Sequence, residues 1–117
     1  MSNTRALLLR ELIEYQEPVD RMIAELSKLA WDVNEPVAFI TPQDVKHILE
    51  RYLRQELTSS QLTDWADLVE CREDVGYSSH TEVLSDSVFR LANPTLREEI
   101  TAKLVTELLE ALASLRE

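Results

Sequence analysis

The residue types best suited to metal binding or proton transfer are scarce in this chain, which has two histidines, His47 and His80. Asp44 and His47 are three residues apart, so on a helix they share a face, as in half of a carboxylate-bridged metal site. Such a site requires a second matching pair, and the sequence has no other D-x-x-H or E-x-x-H spacing. We therefore expect no metal site, an exposed His47 flanked by Lys46 and Glu50, and a solvent-facing His80.

Nucleophilic catalysis would need an activated cysteine or serine. Cys71 is the single cysteine, which excludes an internal disulfide. Glu70, Glu73 and Asp74 surround it with negative charge that disfavours the reactive thiolate, so we expect a partly buried, structural Cys71. The sequence has no G-x-S-x-G or S-x-x-K motif, no phosphate-binding P-loop and no C-x-x-C pair. It predicts a protein that is not an enzyme and takes no cofactor.

Length and composition are those of one small globular unit. The 117 residues suffice for a single domain, and we expect residues 1–117 to form one. With one glycine, the chain is poorly suited to the tight turns of a β-sandwich or to a glycine-rich nucleotide loop. It contains neither a transmembrane-length apolar stretch nor the pattern of a signal peptide. We expect a cytoplasmic protein that does not bind membranes.

Acidic residues are concentrated in one part of the sequence. The chain carries 22 acidic and 12 basic residues, a net charge of −10, which repels nucleic acid and attracts basic proteins. Residues 61–86 hold seven acids against one base, Arg72. These seven acids are Asp64, Asp67, Glu70, Glu73, Asp74, Glu82 and Asp86.

The acids of this region have two interpretations. On a helix, Asp64, Asp67 and Asp74 share a face, and like charges at such spacing lower stability by about 0.2–0.5 kcal/mol per pair. They form either a solvated face that aids solubility or a docking surface for a basic protein. On a docking surface, Tyr77 would supply an aromatic anchor, whereas Trp65 lies on the apolar stripe and is expected in the core.

Apolar residues recur at helical spacing through most of the chain. An N-terminal stripe runs through residues 7–15 and resumes over residues 19–30. Pro18, between the two, either kinks one long helix or opens a second helix as its first residue. The apolar run Val37–Ile40 is too short to predict a strand, and we expect a connecting segment there.

Four segments carry helix-start signals. Thr41–Asp44 combines a capping hydroxyl with an early proline, and the capping-box spacing recurs at Thr58–Gln61, Ser79–Glu82 and Thr95–Glu98. Gly76 is expected to stop one helix and Asn93-Pro94 another. The sequence predicts an all-α fold, a compact bundle of five or six short amphipathic helices.

Three landmarks follow one another between residues 40 and 110. They are the helix start Ile40-Thr41-Pro42-Gln43-Asp44, the acid-ended helix Trp65-Ala66-Asp67-Leu68-Val69-Glu70-Cys71-Arg72-Glu73-Asp74, and the helix end Leu91-Ala92-Asn93-Pro94. This layout resembles the small bacterial colicin-like immunity proteins, compact acidic helical proteins that bind and block a cognate nuclease toxin. The resemblance implies a helical inhibitor and transfers no individual contact residue.

Two functions are therefore hypothesised. In the first, the region from Asp64 to Asp86 covers the basic site of a toxin or nuclease, and its carboxylates take the place of nucleic-acid phosphates. In the alternative, a structural or adaptor protein self-associates, as a homodimer, through the leucines that exceed the needs of one apolar stripe. Those leucines are Leu7, Leu8, Leu9, Leu108 and Leu109.

Overall fold

A computed structural model describes residues 4–16, 18–28, 36–72, 74–93 and 100–115. Within these ranges the chain forms six helices, which confirms the predicted helical bundle, and one small sheet. The helices are α1 (Thr4–Glu14), α2 (Val19–Leu26), α3 (Pro42–Leu53), α4 (Ser59–Cys71), α5 (Thr81–Ala92) and α6 (Ala102–Ala113). The strands are β1 (Ala38–Ile40) and β2 (Val75–Tyr77). No helix among the described residues is long and apolar enough to cross a bilayer.

The two strands pair in parallel, with Phe39 opposite Gly76. The expectation of an irregular segment at Val37–Ile40 is wrong, because Ala38–Ile40 forms β1. The expected helix stop at Gly76 is wrong too, because α4 ends at Cys71 and Gly76 lies within β2. A Cβ atom on Gly76 would lie 3.0 Å from the Cβ atom of Pro36 and 3.3 Å from the Cδ1 atom of Phe39. The absence of a side chain at Gly76 therefore allows Pro36 and Phe39 to pack closely against the backbone of β2.

The core is built from the apolar stripes of the helices together with β1. Trp65 is fully buried, as expected, and its indole Nε1 donates a hydrogen bond of 2.9 Å to the carbonyl oxygen of Leu12. This bond satisfies the indole inside the core and links α4 to α1. The largest fully buried side chains are Trp65, Leu9, Leu12, Ile13, Met22, Ile40, Ile48, Leu49, Leu62, Leu84, Leu91 and Leu104.

Two of the predicted helix starts are confirmed as reciprocal capping boxes. The Thr41 hydroxyl accepts the Asp44 amide at 3.1 Å, while the Asp44 carboxylate accepts the Thr41 amide at 2.9 Å. Thr58 and Gln61 make the same exchange at 3.1 and 2.8 Å. The Thr95–Glu98 signal lies outside the described residues. Helix α6 is instead capped by Thr101, whose hydroxyl accepts the Leu104 amide.

The start of α5 differs from the expectation. The Ser79–Glu82 capping box does not form, because His80 occupies the N-cap position in a left-handed conformation with φ 47° and makes no side-chain cap. The Ser79 hydroxyl oxygen is buried and has no hydrogen-bond partner among the described residues. His80 is half-buried, so the prediction of a solvent-facing side chain is wrong.

Pro18 separates two helices. It stands at the N-cap of α2 with φ −56°, four residues after the end of α1, so it opens the second helix instead of kinking a single one. At the end of α1, Tyr15 adopts φ 53°, its amide donates to the Leu12 carbonyl, and the Gln16 amide donates to the Glu11 carbonyl. This is a Schellman motif with tyrosine at the left-handed position that glycine usually occupies.

Helix α3 ends in the same way. Gln55 has φ 66°, its amide donates to the Tyr52 carbonyl, and the Glu56 amide donates to the Arg51 carbonyl. A side chain in the left-handed region costs about 1–2 kcal/mol relative to glycine's freedom there. Tyr15 and Gln55 therefore destabilise the ends of α1 and α3 by this amount relative to glycine. The one glycine of the chain, Gly76, lies in β2 and ends neither helix.

Substituting Gln55→Gly is predicted to raise the free energy of unfolding by about 0.5–1 kcal/mol. Glycine adopts the left-handed conformation without strain, and because the Gln55 side chain is exposed, its removal costs no packing in the core. The control is Gln43→Gly, also exposed but within α3, which should lower stability by about 0.5–1 kcal/mol. Urea melts of both variants give the signs. If both substitutions destabilise, Gln55 is not the strained end of α3.

Candidate partner-binding surface

Five of the predicted site residues are exposed carboxylates on two neighbouring helices, and we call this set the acidic surface. Helix periodicity places four of them opposite the buried stripes of α4 and α5, and Glu70 at the edge of the α4 stripe. The contact between α4 and α5 is the most extensive between two elements of the described chain. None of the five forms an ion pair with another described residue. The set consists of Asp64, Asp67 and Glu70 on α4 and of Glu82 and Asp86 on α5.

Asp74 does not belong to this surface. It was expected on the same helix face as Asp64 and Asp67, but α4 ends at Cys71, and Asp74 is only 3% exposed. Arg72 donates two hydrogen bonds of 2.8 Å to its carboxylate, and Arg5 of α1 donates a third at 2.8 Å. Burial opposes ionisation of Asp74, but the bonds from the two arginines outweigh it and lower its pKa below the ordinary 3.8.

The backbone of Asp74 makes further connections. Its carbonyl oxygen accepts the amide hydrogens of Val37 at 2.8 Å and of Ala38 at 3.2 Å, where β1 begins. One residue therefore joins α1, the end of α4 and the sheet, a role that an acidic docking residue would not need.

Three further residues, Cys71, Glu73 and Tyr77, were predicted to lie near these acids. Cys71 is exposed, so the expectation of a partly buried cysteine is wrong. Glu73 lies outside the described residues. Tyr77 is half-buried on β2, and burial first, then the charge of Glu70, raises the pKa of its hydroxyl. That hydroxyl therefore stays protonated beside the acidic surface, where it can donate a hydrogen bond.

A polar groove of about 810 Å³ lies between the end of α1 and the exposed side of α3. Arg51 organises it, donating to the carbonyl oxygens of Glu14 at 3.2 Å and Tyr15 at 2.9 Å while its guanidinium lies 5.6 Å from the centre of the Tyr15 ring. Sequence reasoning missed Arg51, because both carbonyls lie in another helix end, more than 30 residues away. The groove is lined by Glu14, Tyr15, Gln16, Gln43, Asp44, Lys46, His47, Glu50 and Arg51.

The Asp44–His47 pair lies at this groove without forming a metal centre. His47 is exposed, as expected. Asp44 is 9% exposed and is bound by Arg10 of α1 as well as by the Thr41 amide, so its carboxylate is already occupied. Among the described residues, no group of three or more histidine, cysteine, aspartate or glutamate side chains is arranged to hold a metal ion.

The leucines that motivated the self-association hypothesis lie mostly inside the molecule. Leu9 and Leu108 are in the core, and Leu8 and Leu109 are partly buried against it. Leu7 alone of the five is strongly exposed, at 64%. Self-association through these leucines stays a prediction, and among the five it would depend mainly on Leu7.

The chain matches no protein-family model, no curated protein and no solved structure.

Replacing Asp74→Asn should lower the free energy of unfolding by about 3 kcal/mol near neutral pH, because it leaves two arginines without their shared carboxylate. Since the pKa of Asp74 is lowered by folding, the ionised carboxylate stabilises the protein above its ordinary pKa and loses this effect as pH falls through the folded-state pKa. The difference between variant and parent in urea melts should therefore shrink as the pH falls below 3.8, the ordinary aspartate pKa. An equal difference at every pH would contradict this role.

Neutralising the α4 acids (Asp64→Asn, Asp67→Asn and Glu70→Gln) should instead raise stability by about 0.5–1 kcal/mol. The residues form two like-charge pairs at i,i+3 spacing, each costing about 0.2–0.5 kcal/mol, and Glu70 lies near the negative end of the α4 dipole. Thermal melts at low salt measure the change. A lower melting temperature would show that these carboxylates stabilise the fold.

Proposed function

We propose that the protein is an inhibitory binding module that covers the basic active-site region of a nuclease or toxin. The observation that supports this most is the acidic surface, five exposed carboxylates on α4 and α5 without an ion-pair partner among the described residues. Its partner would be a basic protein in the cytoplasm of a bacterial cell.

Electrostatics explains how such a surface would inhibit. A nuclease cleft is positively charged because it binds phosphates. A cluster of carboxylates would compete with those phosphates for the same basic residues. Complementary charge accelerates diffusional encounter and makes association sensitive to salt. Inhibition would then need no catalytic group on this chain, only a surface that occupies the cleft and excludes nucleic acid.

The contrast between Asp74 and the acidic surface supports a functional use of the exposed acids. The fold pairs its buried carboxylates with arginines, as at Asp74 and Asp44. On α4 it leaves Asp67 and Glu70 one turn apart, without a basic residue between them. The layout of residues 40–110, which resembles the colicin-like immunity proteins, points to the same class of partner.

Charge reversal tests the proposal. The double variant Asp67→Lys plus Glu70→Lys should relieve inhibition of a basic nuclease domain by at least about tenfold, because it places two cations at the interface. The products of neighbouring genes and the nuclease domains of bacterial toxins are the proteins to assay, with nucleic-acid cleavage as the readout. Inhibition by the parent should weaken steeply with added salt.

The matched control is Glu107→Lys plus Glu110→Lys on α6. Both glutamates are exposed, have the same i,i+3 spacing and give the same change in net charge. This control should inhibit as the parent does. If the two double variants lose inhibition equally, only the net charge matters, and the proposed surface is wrong.

A further inference from the structure

We propose that the outer face of α5 is the docking face for a basic segment that carries an apolar side chain, with Phe89 as the anchor. This inference rests on the proposed function and specifies the partner's chemistry: lysine or arginine side chains around one apolar group. Glu82 and Asp86 would meet the cations, and Phe89 would meet the apolar group.

The three side chains share one face of the helix. Glu82, Asp86 and Phe89 are separated by four and three residues, which places them within about 60° around the α5 axis and along about 10 Å of its length. All three are exposed, and Phe89 is 43% exposed. The opposite side of α5 carries the buried Leu84 and Val88. The face therefore presents one aromatic ring at the end of a short row of carboxylates.

The backbone of Phe89 is fixed at the end of its helix. Its carbonyl oxygen accepts the backbone amide of Asn93 at 3.0 Å and the side-chain amide of Asn93 at 3.0 Å. These bonds close the last turn of α5, so the backbone that carries the ring is ordered before any partner arrives. A phenylalanine side chain has only two torsions to fix, and a pre-ordered aromatic residue therefore loses little entropy on binding.

Charge complementarity selects the occupant. An exposed aromatic ring is typical of interface anchors, and charged residues commonly surround such anchors at the rim. Glu82 and Asp86 are exposed on this face, whereas Arg90, the basic residue of the last turn, is half-buried. An anionic lipid surface or a nucleic acid would therefore be repelled by the two carboxylates. A basic segment satisfies both parts of the face, since its cations pair with Glu82 and Asp86 while its apolar group removes the Phe89 ring from water.

Two synthetic peptides test the inference on the whole protein. One is an amphipathic peptide of lysine and leucine, and the other has serine in place of every leucine at the same length and charge, each about 18 residues long. Calorimetry should show that the lysine–leucine peptide binds the parent at least about tenfold more tightly than the lysine–serine peptide. Phe89→Ala should abolish this preference. Phe39→Ala, which removes a ring that is 47% exposed on β1, should leave it intact.

The outcomes separate this inference from the proposed function. If both peptides bind equally, and Asp67→Lys plus Glu70→Lys weakens both, the anchor is wrong and the acidic surface stands. If Phe39→Ala reduces the preference as much as Phe89→Ala, the α5 face is not the docking site. If neither peptide binds at low salt, the acidic surface does not attract basic segments, and both proposals fail. Thermal melts of the two alanine variants confirm that each remains folded.

Discussion

One buried carboxylate, Asp74, joins α1, the end of α4 and the sheet. Its side chain binds Arg72 at the end of α4 and Arg5 in α1, and its carbonyl oxygen binds the amides of Val37 and Ala38 at β1. Burying an ion costs several kcal/mol, which three hydrogen bonds of 2.8 Å from two arginines offset. Helices α1 and α4 and the sheet must therefore be in place together for Asp74 to be stable.

The same principle operates at Asp44, which caps α3 and binds Arg10. Helix α1 thus supplies an arginine to each of the two aspartates that are buried in the described part of the chain. Among the described acids, Asp44 and Asp74 form a class that folding buries and pairs with arginines. A second, exposed class without described ion pairs includes the five acids of α4 and α5 and also Glu107 and Glu110 of α6. Because the exposed class contributes no described ion pair, the fold permits its use at an interface, and its self-repulsion is a cost that a basic partner would relieve.

Local signals in the sequence predicted the helices, because periodicity and the caps at Thr41 and Thr58 depend on residues within one turn. The same periodicity placed Asp64 and Asp67 on one face of α4, where both are exposed, but it also placed the buried Asp74 there. Contacts distant in sequence were not predictable in this way. Arg5 lies 69 residues from Asp74, so nothing in the local pattern distinguished this acid from its exposed neighbours. Strand β1 was missed because its partner is a separate short segment, and the left-handed Tyr15 because it ends a helix without glycine.

The division of the carboxylates is tested most directly by chemical labelling of carboxyl groups, read by mass spectrometry. The label is applied to the free protein and to the complex with a basic nuclease that the proposed function requires. The account predicts that Asp64, Asp67, Glu70, Glu82 and Asp86 react in the free protein and are protected in the complex. Asp44 and Asp74 should resist labelling in both states, because they are buried and bound to arginines. Reaction of Asp74 at the rate of the exposed acids, or unchanged labelling of all five in an inhibited complex, would contradict it.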